Sequence, residues 1–153
     1  MRLGKILAPL AIIVILLAAP GCGSEESALT KPQFIQQGDA VCRRAAAEQA
    51  RLASHYKKGE VAAGNFEVVT TVFVPPMSRE LRRLKALSPP QADAARIRRI
   101  LKALESGLED AKTDYLDLFV KETDPFAKAN ELAQRYGLNA CAKSSQAVIK
   151  PQG

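Results

Sequence analysis

The chain has no tryptophan, one histidine, few aromatic residues and three cysteines among 153 residues. Each scarcity removes a class of chemistry. His55 alone does not supply the several imidazoles or the dyad partner that zinc sites and catalytic pairs use. It stands beside Tyr56 and Lys57 at the end of a helical pattern, where a surface histidine is the ordinary outcome. No CxxC pair, glycine-rich phosphate loop, GxSxG, HExxH or dinucleotide fingerprint occurs. The sequence therefore points away from an enzyme and implies no cofactor. Abundant alanine with few aromatics suits helices packed closely through small side chains.

What is present begins at the N-terminus. Arg2 and Lys5 precede an uncharged run from Ile6 to Ala19, and small residues come next, which is the layout of a signal peptide. Ala19-Pro20-Gly21-Cys22 resembles a lipobox, where signal peptidase II cuts before a cysteine already carrying diacylglycerol. The apolar run is shorter than the roughly 20 residues that a spanning helix needs. The expected mature protein starts at Cys22 and sits on the extracytoplasmic side of the cell membrane, held by its N-terminal lipid. Removing the 21 preceding residues leaves 132 of the 153, and takes the net charge from +6 to +4 because only Arg2 and Lys5 leave. The expected layout is a tether over 22–29, a helical domain over 30–142 and a polar tail over 143–153.

A lipidated Cys22 cannot form a bridge, which leaves Cys42 and Cys141 as an even pair in an oxidising compartment. One disulfide is the natural reading. The alternative, a metal or redox pair, needs ligands that this chain scarcely has. The bridge would close a loop of about 100 residues, for which chain entropy gives roughly 4–5 kcal/mol as an upper guide.

Along the mature chain, Thr30 with Gln33 three residues on reads as a capping box, and Pro32 fits a first turn. Phe34, Gly38, Val41, Ala45, Leu52 and Tyr56 then keep helical spacing, with Ile35, Cys42, Gln49 and Ala53 beside them, until Lys58-Gly59. The Val- and Thr-rich stretch from Glu67 to Val74 has the propensity of a strand. No second run exists to pair with it, and Phe66, Val69, Phe73, Met77, Leu81 and Leu84 form a helical stripe. The spacing predicts a helix over about 61–87, kinked or interrupted at Pro75-Pro76. After Ser88-Pro89-Pro90, a third helix carries Ile97, Ile100, Leu101, Leu104, Leu108, Ala111 and Tyr115 inward, and continues or restarts near Asp114 toward Leu118 and Phe119. Asp124-Pro125 reads as the cap and first turn of a fourth helix bearing Phe126, Ala129, Leu132, Ala133 and Tyr136, with Gly137 as its stop. The fold expected is all-α, an antiparallel four-helix bundle stapled by one disulfide. In that topology helix 4 returns toward the start of helix 1, which brings Cys141 level with Cys42.

Phe34-Ile35, Asp39-Ala40-Val41-Cys42, Val74-Pro75, Leu87-Ser88-Pro89-Pro90, Asp124-Pro125-Phe126 and Tyr136-Gly137-Leu138-Asn139-Ala140-Cys141 come after the lipobox in that order. In this the chain resembles a family of small secreted helical lipoproteins common in actinobacteria, over nearly the whole mature length. The resemblance implies the helical fold and the bridge, and no activity, substrate or catalytic residue.

Charge is segregated. From Arg79 to Lys102 stand Arg79, Arg82, Arg83, Lys85, Arg96, Arg98, Arg99 and Lys102, against Glu80 and Asp93. From Ala103 to Asp124 the acids dominate, including Glu105, Glu109, Asp110, Asp114 and Asp117. Oxygen ligands on a straight helix rarely converge on one cation, and no EF-hand loop occurs, so the acids read as a solvated face. The basic block straddles the turn between helices 2 and 3, near the expected tether, with Lys31, Lys143 and Lys150 close by. Arg82, Arg83, Arg96, Arg98 and Arg99 are the candidate membrane-facing basic patch, for which anionic lipid head groups are the expected counterpart. A solvated charged face is the plain alternative, and nucleic acid is not an expected partner for an externally anchored protein. The function expected is that of a non-enzymatic envelope lipoprotein presenting a helical surface to another envelope protein. The alternative is a small-ligand or metal-binding helical module, with a pocket lined by the kink at Pro75-Pro76.

Overall fold

A computed structural model describes residues 27–57, 66–115 and 124–145. Residues 1–26, which include the expected signal peptide and Cys22, lie outside the described residues, as do Lys58-Gly59, Asp117, Leu118, Phe119 and Lys150.

The described residues are mostly helical and contain no strand. α1 spans Lys31–Ala53, α2 is the single turn Phe66–Val68, α3 spans Val74–Lys85 and α4 spans Ala94–Thr113. α5 spans Ala127–Tyr136 and α6 is the short Cys141–Ser144. A π-helical turn, Val69–Phe73, joins α2 to α3, and a 3₁₀ turn, Gln91–Asp93, leads into α4.

α1 opens on the capping box its sequence predicts: Gln33 N donates to Thr30 Oγ1, and Thr30 N donates to Gln33 Oε1 at 2.9 Å. It closes at Ala53, short of the Lys58-Gly59 end that periodicity suggests. The Ser54 amide bonds back to Ala50, and the Tyr56 hydroxyl then reaches Glu67 at 3.1 Å and Thr71 at 2.9 Å, pinning the chain after α1 to the start of the next helical stretch.

The β-branched segment is helical, and it departs from a straight helix ahead of Pro75-Pro76. Two consecutive prolines supply no amide proton to the carbonyls four residues back, and their rings crowd those carbonyls. The chain answers with a wider turn, in which Val74 N donates to Val69 O. Thr70 and Thr71 hydroxyls return to the Phe66 and Glu67 carbonyls, a pattern that bends helices. The prolines therefore occupy the first turn of α3. Phe66 is not part of the inward stripe: it is 59% exposed and meets Tyr115 edge-on at 5.3 Å between ring centroids.

α5 starts two residues later than Asp124-Pro125 suggests. Asp124 caps a preceding turn, with Oδ1 accepting from Phe126 N at 2.8 Å. Gly137 ends α5 at φ +107°, with its amide bonded to Gln134 O and Leu138 N bonded to Ala133 O at 2.9 Å, the pair of bonds of a left-handed helix stop. Leu138 to Cys141 is a turn rather than an extended run; Ala140 N donates to Asp39 Oδ1 at 2.9 Å. The folded body also runs past residue 142, because Ser144 and Ser145 are buried.

α1 packs on α3 and α6, α3 on α4, α4 on α5 and α5 on α6, so the series closes on itself. The disulfide between Cys42 and Cys141, with Cα atoms 4.9 Å apart, joins α1 to α6. Around it lie Phe34, Val41, Leu84, Ile97, Ile100, Ala133, Tyr136 and Leu138 in one core. Phe34 and Tyr136 meet edge to face at 6.1 Å, and Phe73 and Phe126 pack at 5.4 Å.

Replacing Cys141 by alanine should lower the free energy of unfolding by about 2–5 kcal/mol, read from urea denaturation. An unchanged midpoint would mean that the bridge carries no structural load. Gly107 offers a sharper packing test. A Cβ there would lie 2.6 Å from the Pro125 carbonyl oxygen, backbone that cannot swing aside, whereas at Gly38 the nearest atom is the tip of Leu138. Gly107→Ala should destabilise by about 1–3 kcal/mol despite better helix propensity, and Gly38→Ala by clearly less, both in the same denaturation assay.

Candidate functional site

The end of α3 and the start of α4 carry the arginines. Arg82 and Arg83 are exposed in the last turn of α3, where cations favour the helix dipole. Arg96, Arg98 and Arg99 are exposed at the start of α4, where Ile97 and Ile100 turn inward. Of these, only Arg96 lies in the first turn of α4, where the dipole opposes it: a cation there costs a few tenths of a kcal/mol, up to about 1. Helix stability does not account for that placement.

Tertiary contacts change the charge balance of the block. Arg79 leaves it, with Nη2 2.6 Å from Glu48 Oε1 on α1. Lys85 pairs with Glu105 on α4 at 2.6 Å. One acid of the block is buried and the other is partly covered. Asp93 is half-buried and accepts from the Tyr136 hydroxyl at 3.0 Å. Burial first, then that bond and the Asp93 charge, push the Tyr136 phenol up to about 12, with Arg96 pulling the other way. Glu80 is buried altogether. Arg82, Arg83, Arg96, Arg98, Arg99 and Lys102 remain exposed, and none of them forms an ion pair among the described residues.

The arginines lie beside the start of α1. Leu29 N donates to Ser88 O at 3.1 Å, so the turn after α3 touches the residue just ahead of the Thr30 cap. Lys31 Nζ lies 4.9 Å from the centre of the Tyr136 ring, at the same end. No family model, curated protein or solved structure matches the chain, so its own geometry and chemistry are the guide to function.

Glu80 is the second feature. It is 2% exposed, and its Oε2 has no hydrogen-bond partner among the described residues. It lines a cavity of about 20 Å³ with Phe34, Leu84, Ile100, Leu104 and Leu138, room for about one water molecule. Ser144 Oγ lies 3.1 Å from Glu80 Oε1 and 3.0 Å from the Cys141 carbonyl oxygen. One hydroxyl proton does not satisfy both acceptors, whereas a protonated carboxyl supplies the second. Burial works the same way, pushing the Glu80 pKa up to about 7 against the lowering effect of Ser144. The helical stripe through Met77 and Leu84 includes position 80, so the inward placement of Glu80 was legible in the spacing; its bond to Ser144, 64 residues away, was not.

Of the other candidates in the sequence, Cys42 and Cys141 are bonded to each other, and Cys22 lies outside the described residues. His55 is exposed just beyond α1. Among the acids, Glu105 pairs with Lys85 and Glu109 with Lys112, and among the described residues no three His, Cys, Asp or Glu side chains group as metal ligands. The cavity is not lined by Pro75 or Pro76; Pro76 is buried in the core. A surface cleft of about 410 Å³ lies elsewhere, among Asp124, Asn130, Glu131, Gln134, Asn139 and Lys143.

The raised Glu80 pKa makes stability depend on pH. Between 4.5 and about 7 the unfolded chain has released this proton while the folded chain keeps it. Stability from this group is therefore full below pH 4.5 and lost as pH rises through about 7, by an amount on the order of 3 kcal/mol. Glu80→Gln should flatten that fall and exceed the parent in stability at pH 8, seen by denaturation at pH 5 and pH 8. Parallel pH profiles for the two proteins would show that Glu80 ionises normally.

Proposed function

We propose that this protein is a non-enzymatic lipoprotein, anchored through Cys22 on the extracytoplasmic side of the cell membrane, that presents a helical surface to another envelope protein. The observation that carries this reading is the Cys42–Cys141 disulfide. It uses two of the three cysteines and leaves as the third the one that comes after Ala19-Pro20-Gly21. A buried disulfide also fits an oxidising compartment outside the cytoplasm.

In this reading α1, the stretch from Phe66 to Lys85, α4 and α5 run alternately up and down as an antiparallel four-helix bundle. Contacts at the two ends support it. Leu29 with Ser88 and Tyr136 with Asp93 meet at one end, while Tyr56 with Thr71 and Phe66 with Tyr115 meet at the other. The non-enzymatic reading is supported by Glu80, whose perturbed carboxyl faces a cavity of about 20 Å³, too small for a substrate. A second reading, a small-ligand module, is favoured by the cleft of about 410 Å³ beside Asn130 and Gln134, a volume in the range of ligand pockets. Six of its eight lining residues are polar or charged, whereas such pockets are lined mainly by hydrophobic and aromatic side chains.

Growth with a labelled fatty acid tests the anchor. The parent protein should take up label and stay with the membrane, and Cys22→Ala should do neither. Undiminished labelling of Cys22→Ala would sink the anchor reading.

A further inference from the structure

We infer that the end of the domain formed by the α3–α4 turn lies against the membrane, with Arg82, Arg83, Arg96, Arg98 and Arg99 engaging the phosphates of anionic lipid head groups. This deepens the proposed function and rests on its lipid anchor. Position comes first. The Leu29–Ser88 hydrogen bond fixes the arginine-bearing turn beside the point where the chain leaves the folded body. Leu29 follows Cys22 by seven positions, a reach of at most about 25 Å by any path. A lipid at Cys22 therefore holds this end, rather than the other, near the bilayer.

Charge comes second. The sequence block contains Glu80 and Asp93, and the fold takes Glu80 into the core and leaves Asp93 half-buried against the Tyr136 hydroxyl. Arg79 and Lys85 are spent on Glu48 and Glu105. What remains is a predominantly basic face on two neighbouring helices, and Arg96 holds its place against the dipole of α4. An anionic surface removes that penalty. Third is the chemistry of the cations. Five of the six are arginines, whose planar forked donors match phosphate oxygens in pairs. The acids Glu109 and Asp110 sit near the opposite end of α4, a helix of 20 residues, or about 30 Å. With Lys112 paired to Glu109 there, the arginine cluster is confined to the end of α4 beside Leu29.

The test uses the full lipidated protein in vesicles, with a photo-crosslinking residue at exposed Ala95, among the arginines, or at exposed His55, at the far end of α1. In phosphatidylglycerol vesicles the Ala95 probe should capture lipid about tenfold more than the His55 probe, since each basic residue near an anionic surface is worth roughly fivefold. Capture should fall toward the His55 level in phosphatidylcholine vesicles. It should also fall in about 1 M NaCl, where screening acts within about 3 Å. Replacing Arg96, Arg98 and Arg99 by glutamine should lower it severalfold, and the matched replacement of exposed Arg43, Arg44 and Arg51 should leave it unchanged. Equal capture by the two probes, equal capture in neutral vesicles, or equal effects of the two triple replacements would overturn the inference. So would crosslinking of Ala95 to RNA in place of lipid in intact cells. Fatty-acid labelling of the same preparation reports on the anchor separately. Unlabelled protein would sink the proposed function, while Ala95 capture after mixing with the vesicles would still read the arginine face.

Discussion

The bond between Cys42 and Cys141 ties the middle of α1 to a helix of four residues that could not stand alone. α6 is held there on every side. Ala140 N donates to Asp39, the Ser144 hydroxyl bonds to Glu80, and Ser145 bonds to Asn130, which in turn bonds to Asp124. These links span between 15 and 101 residues of sequence apart from the Asn130–Asp124 contact, so they connect α1, α3 and α5 through one small element. The closed series of packed helices depends on that junction. Leu138, just ahead of it, fills the space left by Gly38, whose missing side chain lets the two segments approach.

The same core holds polar groups that it does not fully satisfy. Neither amide atom of Gln49 has a partner among the described residues, and Glu80 has one oxygen paired and one not. An unsatisfied buried polar group costs about 1–3 kcal/mol. A disulfide closing a loop of this length contributes a stabilisation of comparable size, which offsets such losses in a domain with few large aromatic side chains. Burial pushes the Glu80 pKa up to about 7, and below that pH the retained proton spares the core the cost of a buried carboxylate.

Burial of that carboxyl also shapes the surface. Glu80, an acid that the sequence counts among the charges of the basic block, lies in the core instead, and half-buried Asp93 accepts from Tyr136. The arginines on either side of the turn are thereby left as a face of nearly uniform sign. Core chemistry and surface electrostatics are linked through two residues, each placed by a partner far away in the chain.

Local rules were enough for what local interactions decide. Thr30 and Gln33 announced the start of α1, Gly137 the end of α5, and the 3–4 spacing of apolar residues the inward faces from Phe34 to Ala45 and from Ile97 to Ala111. The even pair left after Cys22 announced the disulfide. Other features needed the folded chain. Periodicity assigns a residue to a face but not to a neighbour, so it included Phe66 in the stripe, although that ring stands exposed against Tyr115. It placed the disturbance of the second helix at Pro75-Pro76, whereas the strain is relaxed in the preceding turn, where the affected carbonyls lie. It treated the residues after Cys141 as tail, because nothing local shows that Ser144 meets Glu80 or that Ser145 meets Asn130. The sequence by itself determined the helices, their inward faces and the pairing of the cysteines, since these come from spacing and side-chain type. Only the tertiary structure decided which charges remain on the surface, because a charge is withdrawn by a partner that sequence distance conceals.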